Sequence, residues 1–191
     1  MTLEEALERY LPWNEQEERD RAEILRRLRS GEELYSRDNA SAHLTASAWV
    51  VSPDRTQVLM AYHNLYDSWS WLGGHADGDR DLLAAALREV REESGLAEVR
   101  PVSPAIYSVE ILTVDGHEKR GAYVPSHLHL NVTYLLEADP ALPVRKKEDE
   151  NRAVAWFGRE AAAASSEPWF RERIYRKLND KLALFPPEKA L

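Results

Sequence analysis

Cysteine is absent from this chain of 191 residues. Disulfides, thiolate zinc sites and cysteine nucleophiles are therefore excluded, and a reducing compartment fits. Long apolar runs are missing too, with none approaching the ~18 residues a membrane span requires. The first thirty residues mix acids with arginines and lack the basic start and apolar stretch of a secretory signal, so a cytoplasmic location without membrane partners is expected. Positive charge is scarce: 25 Lys and Arg face 33 Asp and Glu, a formal net charge of -8. Tracking a nucleic-acid backbone depends on clustered cations that displace counterions, so a nucleic-acid polymer is not expected as a partner. A small polyphosphate bound by so acidic a chain would need divalent cations to offset repulsion.

What is present suits one domain with a sizeable core and a short appendage. Two amphipathic segments come first. Leu3, Leu7, Tyr10 and Leu11 fall at helical spacing, and Asn14-Glu15-Gln16-Glu17 resembles a capping box that opens a second helix through Leu28, stopped by Gly31. From Ala42 the pattern becomes extended. Residues 42–51 and 56–62 read as a hairpin around Ser52-Pro53-Asp54, followed by Gly73-Gly74 and a helix from Arg80 to Ser94 ended by Gly95. Asp79 is placed to cap that helix. Further strands are expected at 97–112, 127–136 and 153–157, with a loop around Asp115-Gly116-His117 and a closing helix from Trp169 to Leu182. Strands flanking an internal helix and followed by helices predict an α/β (α+β) fold, a mixed sheet covered by helices. Residues 1–40 form an extension, 41–185 the domain and 186–191 a tail.

On the Arg80–Ser94 helix, Leu83, Ala86, Leu87 and Val90 recur as a buried stripe, while Glu89, Glu92 and Glu93 share another face. Like charges at these spacings repel by a few tenths of a kcal/mol per pair. A hard divalent cation would remove the conflict, and magnesium accepts carboxylates while keeping positions for water and phosphate oxygens. Taken alone, three glutamates on a helix are more commonly a solvated face. The wider segment changes the odds: Gly74, thirteen residues, then Arg88-Glu89-Val90-Arg91-Glu92-Glu93-Ser94-Gly95-Leu96.

That segment resembles the box of the Nudix hydrolase family in length, loop-helix-loop order and nearly every fixed position. The resemblance implies an α/β/α sandwich over roughly residues 40–185, with the N-terminal helices as an addition. It further implies hydrolysis of a phosphoanhydride bond in a nucleoside di- or triphosphate or a related nucleotide derivative, with Mg2+ as cofactor and Mn2+ as a substitute. Glu89, Glu92 and Glu93 would bind the ions, Arg88 would orient one of the glutamates, and the Gly74 carbonyl would add a metal ligand. One position departs from the pattern: Arg80 stands where the box has its first glutamate.

In similar sequences an acidic pair precedes a Trp-Phe strand. Glu148-Asp149-Glu150 precedes Trp156-Phe157 here, and Glu150 is the candidate general base. His127, His129, Asn131 and Thr133 alternate along one face of a strand, and His63 and His75 flank the loop entering the box. These four histidines and Trp71 are candidate substrate contacts, with Tyr66 and Trp69 as further stacking surfaces, although aromatic residues beside strands are commonly core. No proline stands near Ile111 and Leu112, the position that marks one subfamily. The missing cysteine also argues against the isomerase relatives of this fold. Two alternatives to a hydrolase are carried: a Nudix-like module that senses a nucleotide without cleaving it, and a structural partner, such as a homodimer, assembled through the N-terminal helices.

Overall fold

In a computed structural model the structure describes residues 1–64, 67–119, 121–147 and 151–187. Tyr66 and the Glu148-Asp149-Glu150 triplet lie outside the described residues. Two helices come first, α1 (Leu3–Arg9) and α2 (Glu15–Arg29). Thr2 and Asn14 cap them, each side chain accepting the backbone N–H three residues on. Four strands follow: β1 (Ala42–Val51), β2 (Gln57–His63), β3 (Ser68–Ser70) and β4 (Leu72–His75). Helix α3 spans Leu82–Ser94. Beyond it come β5 (Val99–Pro101), β6 (Ser108–Val114), the small hairpin β7 (His117–Lys119) and β8 (Ala122–Val124), β9 (His127–Ala138) and β10 (Asn151–Gly158). The described chain closes with α4 (Arg159–Ala164), α5 (Pro168–Phe170), a π-helical turn over Arg171–Tyr175, α6 (Arg176–Lys181) and a final turn over Leu182–Leu184.

The sheet is mixed, in the order β10-β2-β1-β9-β5, with β4 on β1 and β6 on β9. Its spine is a parallel pairing of β1 with β9, from Ala42 opposite Leu128 to Val51 opposite Glu137. The expected hairpin of β1 and β2 is present only at its base, Val51 opposite Val58, because β1 gives its edges to β9 and β4. Alternation sorts the two faces. Leu44, Ala46, Ala48 and Val50 join Leu130, Val132 and Leu136 in a core that takes in Ala85, Ala86 and Val90 of α3 and Leu7 and Ile24 of the N-terminal helices. On the other face Trp49, Leu135 and Met60 pack against Ile174, Tyr175 and Leu178.

Several expectations need correction. The single strand over 97–112 is two strands, β5 and β6, since Pro101 and Pro104 have no N–H to give a ladder. His117 opens a hairpin rather than sitting in a loop. The cap of α3 is Asp81, whose side chain accepts the Ala84 N–H, and not Asp79. The buried stripe of α3 is turned from the one expected: Leu82, Ala85, Ala86, Val90 and Glu93 are buried, while Leu83 and Leu87 are half-buried at its margin.

The N-terminal helices pack on the sheet. The outer edge of β6 has no strand neighbour among the described residues, and α2 covers it. Gln16 Nε2 donates to the Val109 carbonyl at 3.1 Å, and the Ile111 N–H donates to Asp20 Oδ2 at 2.9 Å. Side chains thus satisfy the backbone groups that an open edge would leave exposed. Behind them lies a buried charge network. Glu17 Oε1 takes Lys181 Nζ at 2.8 Å and Lys177 Nζ at 3.1 Å, Lys177 also meets Glu110 Oε1 at 2.9 Å, and Tyr10 donates to Glu17.

Candidate active site

The site begins with two glycines whose neighbours leave no room for a side chain. β4 lies antiparallel to β1, with Gly73 opposite Ser47 and Gly74 opposite Ala46. A Cβ on Gly74 would stand 2.5 Å from Cδ of Glu89, and one on Gly73, whose φ is +156°, would meet Ala46 O and Ser47 Cα at 2.6 Å. Helix α3 therefore crosses β4 so closely that the Glu89 carboxylate rests on glycine backbone.

The three glutamates expected to act together have three different environments. Glu89 lies beside Arg88, whose Nη2 donates to Glu89 Oε1 and to the His75 carbonyl, both at 3.3 Å, while Nη1 donates to Asp79 Oδ2 at 3.3 Å. Burial raises the Glu89 carboxyl above its ordinary value and the charge of Glu92 adds to this, with Arg88 opposing both. Glu92 is the outermost, its side chain 47% exposed and 3.4 Å from Lys147 Nζ. Glu93 turns inward and is 4% exposed. Its Oε2 accepts the Gly73 N–H at 2.9 Å and its Oε1 accepts Asn151 Nδ2 at 3.2 Å. The helix thus sets Glu89 against Gly74 and Glu93 against Gly73, with the guanidinium of Arg88 beside Glu89. Arg80 is exposed and away from this cluster, its guanidinium 4.7 Å from the centre of the Tyr35 ring and 3.8 Å from Glu33.

The other candidates divide. His75, His127 and His129 gather on the sheet face opposite α3, where His43 joins them with ring centroids 4.9 to 5.1 Å away. Burial, reinforced by the surrounding imidazoles, holds His129 down at about 2, and burial also lowers His43, so both are neutral near pH 7. His63 is elsewhere, paired in the sheet with Asn151 at the rim of the glutamate cluster. Trp71 is 9% exposed and packs on Tyr175 and Phe170 in the second core. Trp69 packs edge-on to Phe157 and Tyr62. A cavity of about 920 Å³ opens between α1, the 104–107 turn and Phe185, but none of the three glutamates lines it.

Sequence reasoning missed two participants. Asn151, which fixes Glu93, sits at the end of a polar stretch and carries no pattern of its own. His43 did have a signal: the alternation His43-Thr45-Ser47 matches His129-Asn131-Thr133, and the two sets lie directly opposite each other in the sheet.

The family model of the NUDIX domain matches residues 42–178. No curated protein matches. A NUDIX-family hydrolase structure from Clostridium perfringens is similar at 21% identity, with a TM-score of 0.52, covering 74% of this chain and 97% of that one. The dihydroneopterin triphosphate pyrophosphohydrolase of E. coli is similar at 17% identity, with a TM-score of 0.54, covering 76% and 97%. An Ap4A hydrolase of C. elegans is similar at 18% identity, with a TM-score of 0.50, covering 74% and 98%. At such identities the structures establish the α/β/α sandwich. The family match spans most of the chain and includes the Gly74–Leu96 segment, so the chain belongs to the NUDIX family.

Proposed function

We propose that the chain hydrolyses the phosphoanhydride bond of a nucleoside di- or triphosphate or a related nucleotide derivative, in a reaction dependent on Mg2+, with Mn2+ as a substitute. The observation that carries this reading is the Glu89 carboxylate seated on Gly74, with Glu92 and Glu93 on the same helix. The donors are hard oxygens, and the missing Cβ of Gly74 lets the Glu89 carboxylate lie directly against strand backbone, so the residues fit the oxygen ligands that a hard divalent cation takes. Glu89, Glu92, Glu93 and the Gly74 carbonyl would hold it, and when bound it would supply charge neutralisation at the phosphate oxygens and a lowered pKa for water.

The protein's own contribution is order. Arg88 fixes the Glu89 carboxylate and ties it to the His75 carbonyl, so helix and loop keep one spacing. The Gly73 N–H and Asn151 amide hold Glu93 in a single orientation, a preorganisation that need not be established during the reaction. Lys147 is a cation at the outer side, within reach of Glu92. Glu150 is proposed as general base; it precedes Asn151 in sequence and lies outside the described residues.

Arg80 favours a second reading. The position where the box has its first glutamate is occupied by an exposed arginine over Tyr35, so that acid is missing from this chain's box, as it would be in a module that binds a nucleotide without cleaving it. One experiment separates the two. The protein is incubated with Mg2+ or Mn2+ and a panel of nucleoside triphosphates, nucleotide sugars and dinucleotides, and products are identified by phosphorus NMR in oxygen-18 water. Metal-dependent cleavage with the label on one phosphorus supports hydrolysis. Saturable binding without cleavage across the panel overturns it.

A further inference from the structure

Five of the six histidines of the chain lie near one another: His43, His75, His117, His127 and His129. They come from distant parts of the sequence and are brought together by strand register. His43 on β1 is directly opposite His129 on β9, and His75 on β4 is opposite Thr45, two residues along from His43. One ring nitrogen from each of His43, His75 and His129 lies within 4.8 Å of the others.

The hydrogen bonds of this group set the tautomers. His43 Nδ1 is 3.1 Å from the Asn39 carbonyl and His127 Nδ1 is 2.8 Å from the Pro125 carbonyl. A carbonyl only accepts, so in both rings the proton is on Nδ1 and Nε2 presents a lone pair. A metal-binding imidazole is typically held in this way by a backbone acceptor behind it. His43 is 4% exposed, and its Nε2 is buried with no hydrogen-bond partner. Burying a polar atom in this state is costly, and the groups facing it are other imidazoles. His127 Nε2 lies 3.2 Å from His129 Nε2. Nitrogens bound to tetrahedral zinc at about 2.0–2.1 Å are themselves about 3.4 Å apart. The spacing of that pair is close to this, whereas the nitrogens of His43, His75 and His129 lie within 4.8 Å of one another, so a zinc ion would draw them inward.

We propose that His43, His75 and His129 form a zinc site on the sheet face opposite α3, with His127 beside His129 at its margin. Imidazole-only donors select zinc and its neighbours in the transition series over magnesium, which takes oxygen ligands. The site is separate from the glutamate cluster: Gly74 abuts Glu89 on the helix side, and His75, the next residue on the strand, points to the other face. A zinc ion there would pin β1, β4 and β9 together next to the loop that carries Gly74.

The test uses untagged, chelator-treated full-length protein, so that no affinity tag competes. Titration with Zn2+ in excess Mg2+ is expected to show one tight equivalent, and Co2+ in its place to give the intense absorption of a tetrahedral ion. His75→Ala and His129→Asn are each expected to weaken Zn2+ by more than about 100-fold, whereas Glu89→Gln leaves Zn2+ affinity unchanged. X-ray absorption of the wild-type zinc complex needs no substitution and is expected to show at least three imidazoles, which keeps the proposal testable if a variant fails to fold. Fewer than three imidazoles, no tight equivalent, or a site lost with Glu89 and retained without His129 would overturn it. None of these readouts depends on turnover, so the zinc site and the hydrolase reading fail independently.

Discussion

An alanine at position 74 would press its methyl group on the movable end of a side chain, whereas one at position 73 would press on the backbone of β1. The two substitutions should therefore separate. Gly74→Ala displaces the Glu89 carboxylate, and a displacement near 1 Å at a reacting centre costs about 100-fold. Its kcat/KM is expected to fall by that order, with a thermal midpoint close to wild type. Gly73→Ala must distort the sheet in a backbone conformation that L residues rarely adopt, and is expected to lose about 3 kcal/mol of stability in urea unfolding. Equal effects of the two on both measurements would refute the geometry described for this loop. Glu92 and Glu93 should part company in the same manner. The exposed Glu92→Gln is expected to lose turnover while changing stability by less than about 0.5 kcal/mol. Glu93→Gln is expected to lose turnover and also about 1–3 kcal/mol, because a buried carboxylate with two donors cannot be replaced by an amide without one mismatched pair.

At the scale of the element, α3 owes its position to its ends as much as to its apolar side. Asp81 caps the start and Gly95, with φ +70°, ends the helix in the left-handed region. Asp81→Ala is expected to cost about 1 kcal/mol, which in a chain of this size lowers the thermal midpoint by about 2–4 °C. An unchanged midpoint in calorimetry would refute the cap. This helix was also the most legible part of the sequence, since its spacing, its Gly95 stop and its box are all local, although its N-cap is Asp81 and not the expected Asp79. Its phase was not, because Leu83 and Leu87 are as apolar as Leu82, and only the sheet decides which side of a helix is covered. The same limit applies to β1. Its alternation was readable, but its parallel partner lies 86 residues away, Thr45 against Asn131. So the glutamates could be placed together from sequence, being on one helix, whereas the histidine group was seen only in part, being assembled across three strands. Asn151 was invisible for the same reason.

For the molecule as a whole, the buried charges at its N- and C-terminal helices are decisive. Burial by itself would push Glu17 up, but Lys177, Lys181 and the hydrogen bonds from Lys181 and Tyr10 outweigh it and bring Glu17 down to about 2. A carboxyl lower in the folded than in the unfolded chain stabilises above its unfolded value, near 4.5, and this stability is lost as pH falls toward 2. Urea unfolding of the wild type is expected to weaken by about 3 kcal/mol over that interval from this group. Glu17→Gln should show a smaller loss over the same interval, because it has no carboxyl to protonate. At neutral pH that variant leaves two buried lysines short of a partner and is expected to be destabilised by about 3–5 kcal/mol. A Glu17→Gln protein as stable as wild type at pH 7 would mean that the network contributes nothing.

Because Glu17 and Lys181 are separated by 164 positions in sequence, a nascent chain leaving the ribosome carries an unneutralised acid in its second helix until α6 has been synthesised. Domains joined in this way complete their cores late, and contacts of such sequence separation are slow to form. The first strand waits likewise for the ninth. Completion of the domain therefore waits on the synthesis of α6, whichever elements have formed before it.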